Sequence, residues 1–242
     1  MRELSLYTGA GGGLLGTNLL GWQPVGYVEI DDYCQRILAA RIADGHLPVA
    51  PIFTDVCEFL QSGAAAEYRG VADVVSAGFP CPAYSSAARG RNLAEKDLSD
   101  ITLEIIRVVK PGWAFLENVV EIRSHLPRIG GELARMGYSL APVAQVSGAS
   151  VGAPHERRRV WIVAHANSNP ECHIPVNVEV AQPSEAERPS EWQEFDPGTL
   201  GVPDGMASRM DRLRALGNGQ VPLCAATAWR LLVPAGRAGG GR

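Results

Sequence analysis

Short apolar runs alternate along this chain with glycine- and proline-rich breakers and with stretches of helical periodicity. Leu4-Ser5-Leu6-Tyr7 reads as a strand running into Thr8-Gly9-Ala10-Gly11-Gly12-Gly13, and 14–20 then has a helical pattern. A second strand over 25–30 ends among the acids Glu29 and Asp31 and is followed by a helix over 33–42. Phe53-Thr54-Asp55 marks a third strand tip. The run 71–77 is strand-like and stops at Gly78-Phe79-Pro80, a helix over 101–109 precedes Pro111, and a buried strand over 113–116 ends at Glu117-Asn118. A helix over 126–136 and strands over 138–146 and 160–165 continue the rhythm. Repeated strand–helix units of this size predict a parallel sheet with helices on both faces. Polar residues at the strand ends stand where such sheets bind ligands.

The rhythm stops at Ala166. From there to about Asp204 the chain is rich in Pro, Glu, Asn and Ser with little apolar periodicity, which predicts a linker or a small irregular domain. Order returns at Met206, 222–232 reads as a helix, and the glycine-rich tail 234–242 is expected to fray. The expected division is 1–165, a short insert 166–204, and a segment 205–242 that completes the first unit. No internal repeat is present.

Composition narrows the class. At 242 residues, 46% hydrophobic and 20% charged, the chain has enough apolar material for one full core and a small appendage. It contains no run of about 18 apolar residues. Its first residues lack the basic-then-apolar layout of a signal peptide, so a soluble, cytoplasmic protein is expected. Five widely spaced cysteines with no CxxC pair exclude a disulfide framework or a four-cysteine zinc site. Cys172-His173 lacks a second ligand pair, and no metal is expected. A net charge of −4 argues against a histone-like coat for nucleic acid. Of the 22 basic residues only Lys96 and Lys110 are lysine, and arginines gather at 157–159 and at Arg209, Arg212 and Arg214. Such local patches let an acidic protein bind DNA.

The glycine loop permits close approach of a ligand backbone, or serves packing alone. Glu29, about 20 residues on, is placed to hold the hydroxyls of a ribose. Asp55 reads equally as a ligand contact and as a helix N-cap. Cys81, bracketed by Pro80 and Pro82 directly after a strand, is a thiol aimed by a stiff loop rather than an ordinary buried cysteine. Cys34, Cys57 and Cys224 read as inert, Trp22, Trp161 and Trp229 as core, and Trp192 as an anchor in the insert.

Taken together and in this order, these segments resemble the cytosine-C5 DNA methyltransferase family. Tyr7 to Gly12 is similar to its S-adenosylmethionine loop, and Glu29, Ile30, Asp55 and Val56 to its ribose and adenine contacts. Gly78-Phe79-Pro80-Cys81 is similar to its nucleophile loop and Glu117-Asn118-Val119 to its base-holding motif. Pro154-His155-Glu156-Arg157-Arg158-Arg159 resembles its arginine motif, and Leu216-Gly217-Asn218-Gly219 its C-terminal motif. Four departures stand out: Pro82 and His155 replace glutamines, Ser5 replaces an acid, and no arginine stands near Leu98. The insert is also short for the family.

The resemblance implies a Rossmann-like class I methyltransferase fold, α/β with a mixed sheet, helices on both faces and a small irregular target-recognition insert. It implies S-adenosylmethionine, or a modified form such as a carboxylated one, held by Tyr7, Thr8, Gly9, Ala10, Gly11, Gly12, Glu29, Ile30, Asp55, Val56, Pro80, Asn218 and Gly219. The partner implied is double-stranded DNA, contacted by Ser85, Arg89, Arg91, His155, Arg209 and Arg212, and a monomer is expected. The chemistry also follows from the residue types. Cytosine C5 is a poor nucleophile until a thiolate such as Cys81 adds at C6. The charge that addition places on the ring is relieved at N3 by a carboxyl such as Glu117. Asn118 would orient the loop or the base. Arg157 and Arg159, two apart on a strand, would share a face while Arg158 faces away. The base must leave the duplex to reach this site, with the segment from Tyr84 to about Asp100 closing over it. An RNA acceptor and a silent DNA-binding homologue are the alternatives.

Overall fold

The computed structural model describes residues 1–80, 98–166, 211, 215, 217 and 219–233. Its strands are β1 (Arg2–Leu6), β2 (Gln23–Val28), β3 (Ile52–Phe53), β4 (Val74–Gly78), β5 (Trp113–Asn118), β6 (Tyr138–Leu140), β7 (Ala144–Val146) and β8 (Arg159–Ala166). Its helices are α1 (Gly12–Asn18), α2 (Asp32–Ala43), α3 (Val56–Gln61), α4 (Leu98–Val109), α5 (Leu126–Arg135) and α6 (Pro222–Leu232). Among the described residues the strands form one sheet in the order β3-β2-β1-β4-β5-β8-β6, with β7 also paired to β8.

From β3 to β5 the sheet is parallel, whereas β8 runs antiparallel to β5, β6 and β7. The rhythm alone predicts an all-parallel sheet; the mixed one is found. The chain steps outward from β1 to β3 on one side and from β4 to β5 on the other. The order therefore reverses between β1 and β4, and sheets of this kind bind ligands at the strand ends beside such a switch. The single strand expected over 138–146 is two. Between Leu140 and Ala144 the chain takes four steps while its partner takes three, from Ala164 to Trp161. This extra residue is a bulge, and Pro142, which has no N–H to give the ladder, lies inside it.

Period-two alternation separates the faces. Leu4, Leu6, Val75, Ala77, Leu116 and Ile162 enter the larger core with residues of α3, α4 and α5. Val74, Phe115, Trp161 and Val163 point the other way, where Cys224, Ala225, Ala228 and Trp229 of α6 and the ring of Trp22 cover them. Thus the C-terminal helix returns to close the second face, with Trp22 meeting Trp229 edge-on at 4.6 Å. That face also carries the polar residues Glu3, Ser5, Ser76 and Glu117. No described helix is long and apolar enough to cross a membrane.

Candidate active site

The glycine loop divides its labour. Tyr7, Gly9 and Gly11 have φ of 53°, 59° and 89°, the left-handed region that turns the chain from β1 into α1. A Cβ on Gly9 would meet nothing within 4 Å, so that side is open to a ligand. Gly12, Gly13 and Gly16 are small for another reason. A Cβ on Gly12 would fall 2.3 Å from the Gln220 carbonyl oxygen, and one on Gly16 2.5 Å from that of Pro222. Packing thus accounts for Gly12, Gly13 and Gly16, while Gly9 leaves its side of the loop open. Thr8 is buried and its hydroxyl donates inward, to the Ser5 carbonyl at 3.0 Å. Ala10 is half-buried.

Glu29, at the tip of β2, accepts from Gly9 N–H at 2.6 Å and from Asp31 N–H at 2.8 Å, one on each oxygen. Two backbone donors fix the carboxylate while each oxygen keeps a lone pair for a ribose hydroxyl. Burial pushes its pKa up against those bonds. Ile30 beside it is half exposed, an apolar surface next to a polar one. Asp55 caps α3, its Oδ1 accepting from Cys57 and Glu58 N–H at 2.6 and 3.2 Å. Val56 is buried in the core. The open glycine turn, the fixed carboxylate and the exposed isoleucine fit a nucleoside-bearing donor.

Beyond the switch, β4 ends at Gly78 and continues through buried Phe79 to exposed Pro80. Glu117, the register partner of Gly78, is buried, and burial pushes its pKa up while Arg159 and Arg157 pull it down. Arg159 Nε lies 3.0 Å from Glu117 Oε1. Asn118 Nδ2 donates to the Phe79 carbonyl at 2.8 Å and its Oδ1 accepts from Val119 N–H. Asn118 thereby holds the Phe79 carbonyl, two residues before Cys81, in keeping with the first of its two expected roles.

The strand argument for the arginines needs correction. β8 begins at Arg159, and Arg157 precedes it with φ 33°, so the two do not alternate on one strand. Both still act on Glu117, because Arg157 turns back and its Nη2 donates to the Gly219 carbonyl at 2.6 Å. Arg158 pairs outward with Glu156, as expected. His155 is exposed beside them.

Gln220, which sequence reasoning did not single out, links the two halves. Its Nε2 donates to Glu117 Oε2 at 3.3 Å, and its backbone lies against Gly12. Only its place directly after Gly219 hinted at this. Cys81, Pro82, Tyr84, Ser85, Arg89, Arg91, Cys172, His173, Trp192, Arg209, Arg212, Arg214 and Asn218 lie outside the described residues.

The family model for C-5 cytosine-specific DNA methylases matches residues 1–197. Among curated proteins, the chain is 29% identical to the Type II methyltransferase M.CviJI of Paramecium bursaria Chlorella virus IL3A, over 67% of this chain and 42% of that protein. It is 30% identical to M.HpaII of Haemophilus parainfluenzae, over 68% of this chain and 46% of that protein. The chain thus spans about half the length of the curated relatives it matches. Solved structures with the same fold include Spodoptera frugiperda DNMT2, in a mutant form, at 18% identity and a TM-score of 0.55. That match covers 69% of this chain and 50% of that one. S. pombe Dnmt2 aligns at 18% identity with a TM-score of 0.54, over 70% of this chain and 50% of that one.

Proposed function

Because this chain belongs to the family of C-5 cytosine-specific DNA methylases, we propose that it transfers a methyl group from S-adenosylmethionine to C5 of a cytosine flipped out of duplex DNA. The carrying observation is Glu117: a buried carboxyl with a raised pKa, bridged by Arg159, beside the strand exit that leads to Cys81. When bound, the donor supplies a methyl group on a sulfonium. The turn at Gly9 and the fixed carboxylate of Glu29 hold its nucleoside end.

The protein's own groups do the rest. The Cys81 thiolate adds to cytosine C6 and makes C5 nucleophilic. Glu117, whose protonated form burial favours, gives a proton to N3 as negative charge develops there. Arg159 lies against the same carboxyl and offers its remaining N–H groups to the ring oxygen. Asn118 holds the Phe79 carbonyl, so the nucleophile's loop leaves β4 at a fixed angle. After transfer a water molecule takes the C5 proton, the thiolate leaves, and N3 returns its proton to Glu117.

Trapping tests the covalent step. In DNA carrying 5-fluorocytosine the C5 substituent cannot leave as a cation, so the adduct persists. With donor present, the expected product is a denaturant-stable protein–DNA species whose cross-linked peptide contains Cys81. A cross-link at another residue, or none in DNA the protein binds, overturns the mechanism.

A further inference from the structure

The site opens into a small cavity that runs inward from Glu117 between β1, β4 and α1, and its inner wall holds a second carboxyl, Glu3. Glu3 stands on the central strand and is 1% exposed. Its Oε2 accepts from the Thr17 hydroxyl at 2.6 Å and its Oε1 from the Ser76 hydroxyl. Burial pushes it up to about 7, against those two hydrogen bonds. Among the described residues no arginine or lysine forms an ion pair with it. The reaction derived above leaves it without a task.

Trp161, the register partner of Glu117, lines the same cavity. Its ring is stacked on Phe115, centroids 5.0 Å apart, and its Nε1 is buried without a hydrogen-bond partner. A buried indole N–H of this kind calls for an acceptor, and in a polar cavity water can serve as one. Both carboxyls line this cavity, so water in it can reach each of them. The Ser76 hydroxyl touches Glu3, and Glu117 Oε2 lies 3.0 Å from where a Cβ on Gly78 would stand. Ser76 and Gly78 are two residues apart on one strand face, about 6.6 Å. The Gln220 amide, which donates to Glu117 Oε2, borders that gap, and the cavity that both carboxyls line has room for water. Thr17 Oγ1 is also 3.2 Å from the Leu14 carbonyl. It can donate to an ionised Glu3, or turn to Leu14 and accept from a neutral one.

We propose that Glu3 and Glu117 share one proton across this chamber, with Glu3 the positioning residue that holds the negative charge while Glu117 meets the base as the neutral acid. The proposal rests on Glu117 being that acid. In the step, the O–H bond of Glu3 breaks and one forms on Glu117. The Ser76 hydroxyl and the water between each release one proton and take one up. The charge left on Glu3 is held by Thr17 and Ser76, and the return of the N3 proton restores the pair.

Glu117 faces Arg157 and Arg159, which favour its ionised form, and the neutral thiol of Cys224 on α6. Glu3 faces Tyr27 on β2 and the N-terminal ammonium of Met1. Two like charges about 10 Å apart at an effective dielectric of about 20 repel by about one pH unit, and an ionised Glu3 offsets the arginines by an amount of that order.

The test compares wild type with Glu3→Gln, which keeps shape and hydrogen bonding. The readouts are single-turnover transfer to DNA from about pH 5.5 to 9.5, and donor affinity by calorimetry. The alkaline limb should move down by about one pH unit in Glu3→Gln. Its rate should then fall roughly tenfold below wild type near pH 8.5 and agree within about twofold near pH 6, with donor affinity unchanged. Trp161→Phe keeps the stacking, loses the N–H, and should move the limb the same way by less. A Glu3→Gln limb that superimposes on wild type overturns the pair, as does a loss of donor affinity with an unmoved limb. Should Glu3→Gln not fold, an unmoved limb in Trp161→Phe overturns it. A wild type that modifies no DNA at any pH refutes the proposed function first, and the pair with it.

Discussion

Glu3 has a consequence for stability that holds whatever the protein acts on. Its carboxyl stands at about 7 in the fold against an ordinary value of 4.5. A carboxyl whose folded pKa is raised contributes fully to stability below the unfolded value. That contribution is lost as pH rises from about 4.5, levelling off above about 7. At roughly 1.4 kcal/mol per pH unit, the loss between pH 5 and pH 8 is about 2–3 kcal/mol. In Glu3→Gln nothing titrates at this position, so the variant escapes that part of the loss. Any fixed cost of the amide is the same at both pH values and cancels. Urea denaturation of both proteins at pH 5 and pH 8 measures the difference. With a slope on the order of 2–3 kcal/mol/M, the wild-type midpoint should drop about 1 M further than the variant's, at equal slopes. Equal drops in the two proteins would refute the reasoning, because Glu3 would then carry no buried titration.

Four further outcomes follow from the site and its packing. Cys81→Ser should abolish turnover, by at least about a thousandfold, while calorimetry finds donor affinity within about twofold of wild type. Glu29→Ala removes a charged acceptor for two hydroxyls and should weaken donor binding by about 10–100-fold, with DNA binding in gel-shift assays unchanged. Gly16→Ala puts a methyl group 2.5 Å from the Pro222 carbonyl oxygen and should cost about 1–3 kcal/mol in thermal unfolding. Gly131→Ala in α5, where a Cβ meets nothing within 4 Å, should be neutral or stabilising.

The order of strands and helices was legible because apolar periodicity is local, and each half of the site stands at a strand end that the pattern marks. Glu29, Asp55, Glu117 and Asn118 could be found this way. What depends on partners across the fold could not. Glu3 reads as an ordinary charge near the start of the chain; only the pairing of β1 with β4 and the packing of α1 enclose it. Gln220 matters because α6 returns against Gly12, a contact between residues more than two hundred positions apart. Trp161 is core, as its neighbours suggest, yet it also lines the cavity and its buried N–H has no hydrogen-bond partner. The arginines misled in a different way. A spacing of two implies a shared strand face only inside a strand, and Arg157 lies outside β8 in a left-handed conformation. The bulge at Pro142 divides a run that looked continuous.

The most direct test is mass spectrometry of nucleosides from duplex DNA incubated with the purified protein and S-adenosylmethionine. The account predicts deoxycytidine heavier by one methyl group, present with wild type and absent with Cys81→Ser. Unmodified DNA from this reaction would contradict it. Parallel digests of incubated RNA, and of DNA from the expressing cells, would then identify an RNA acceptor or a larger cytosine adduct.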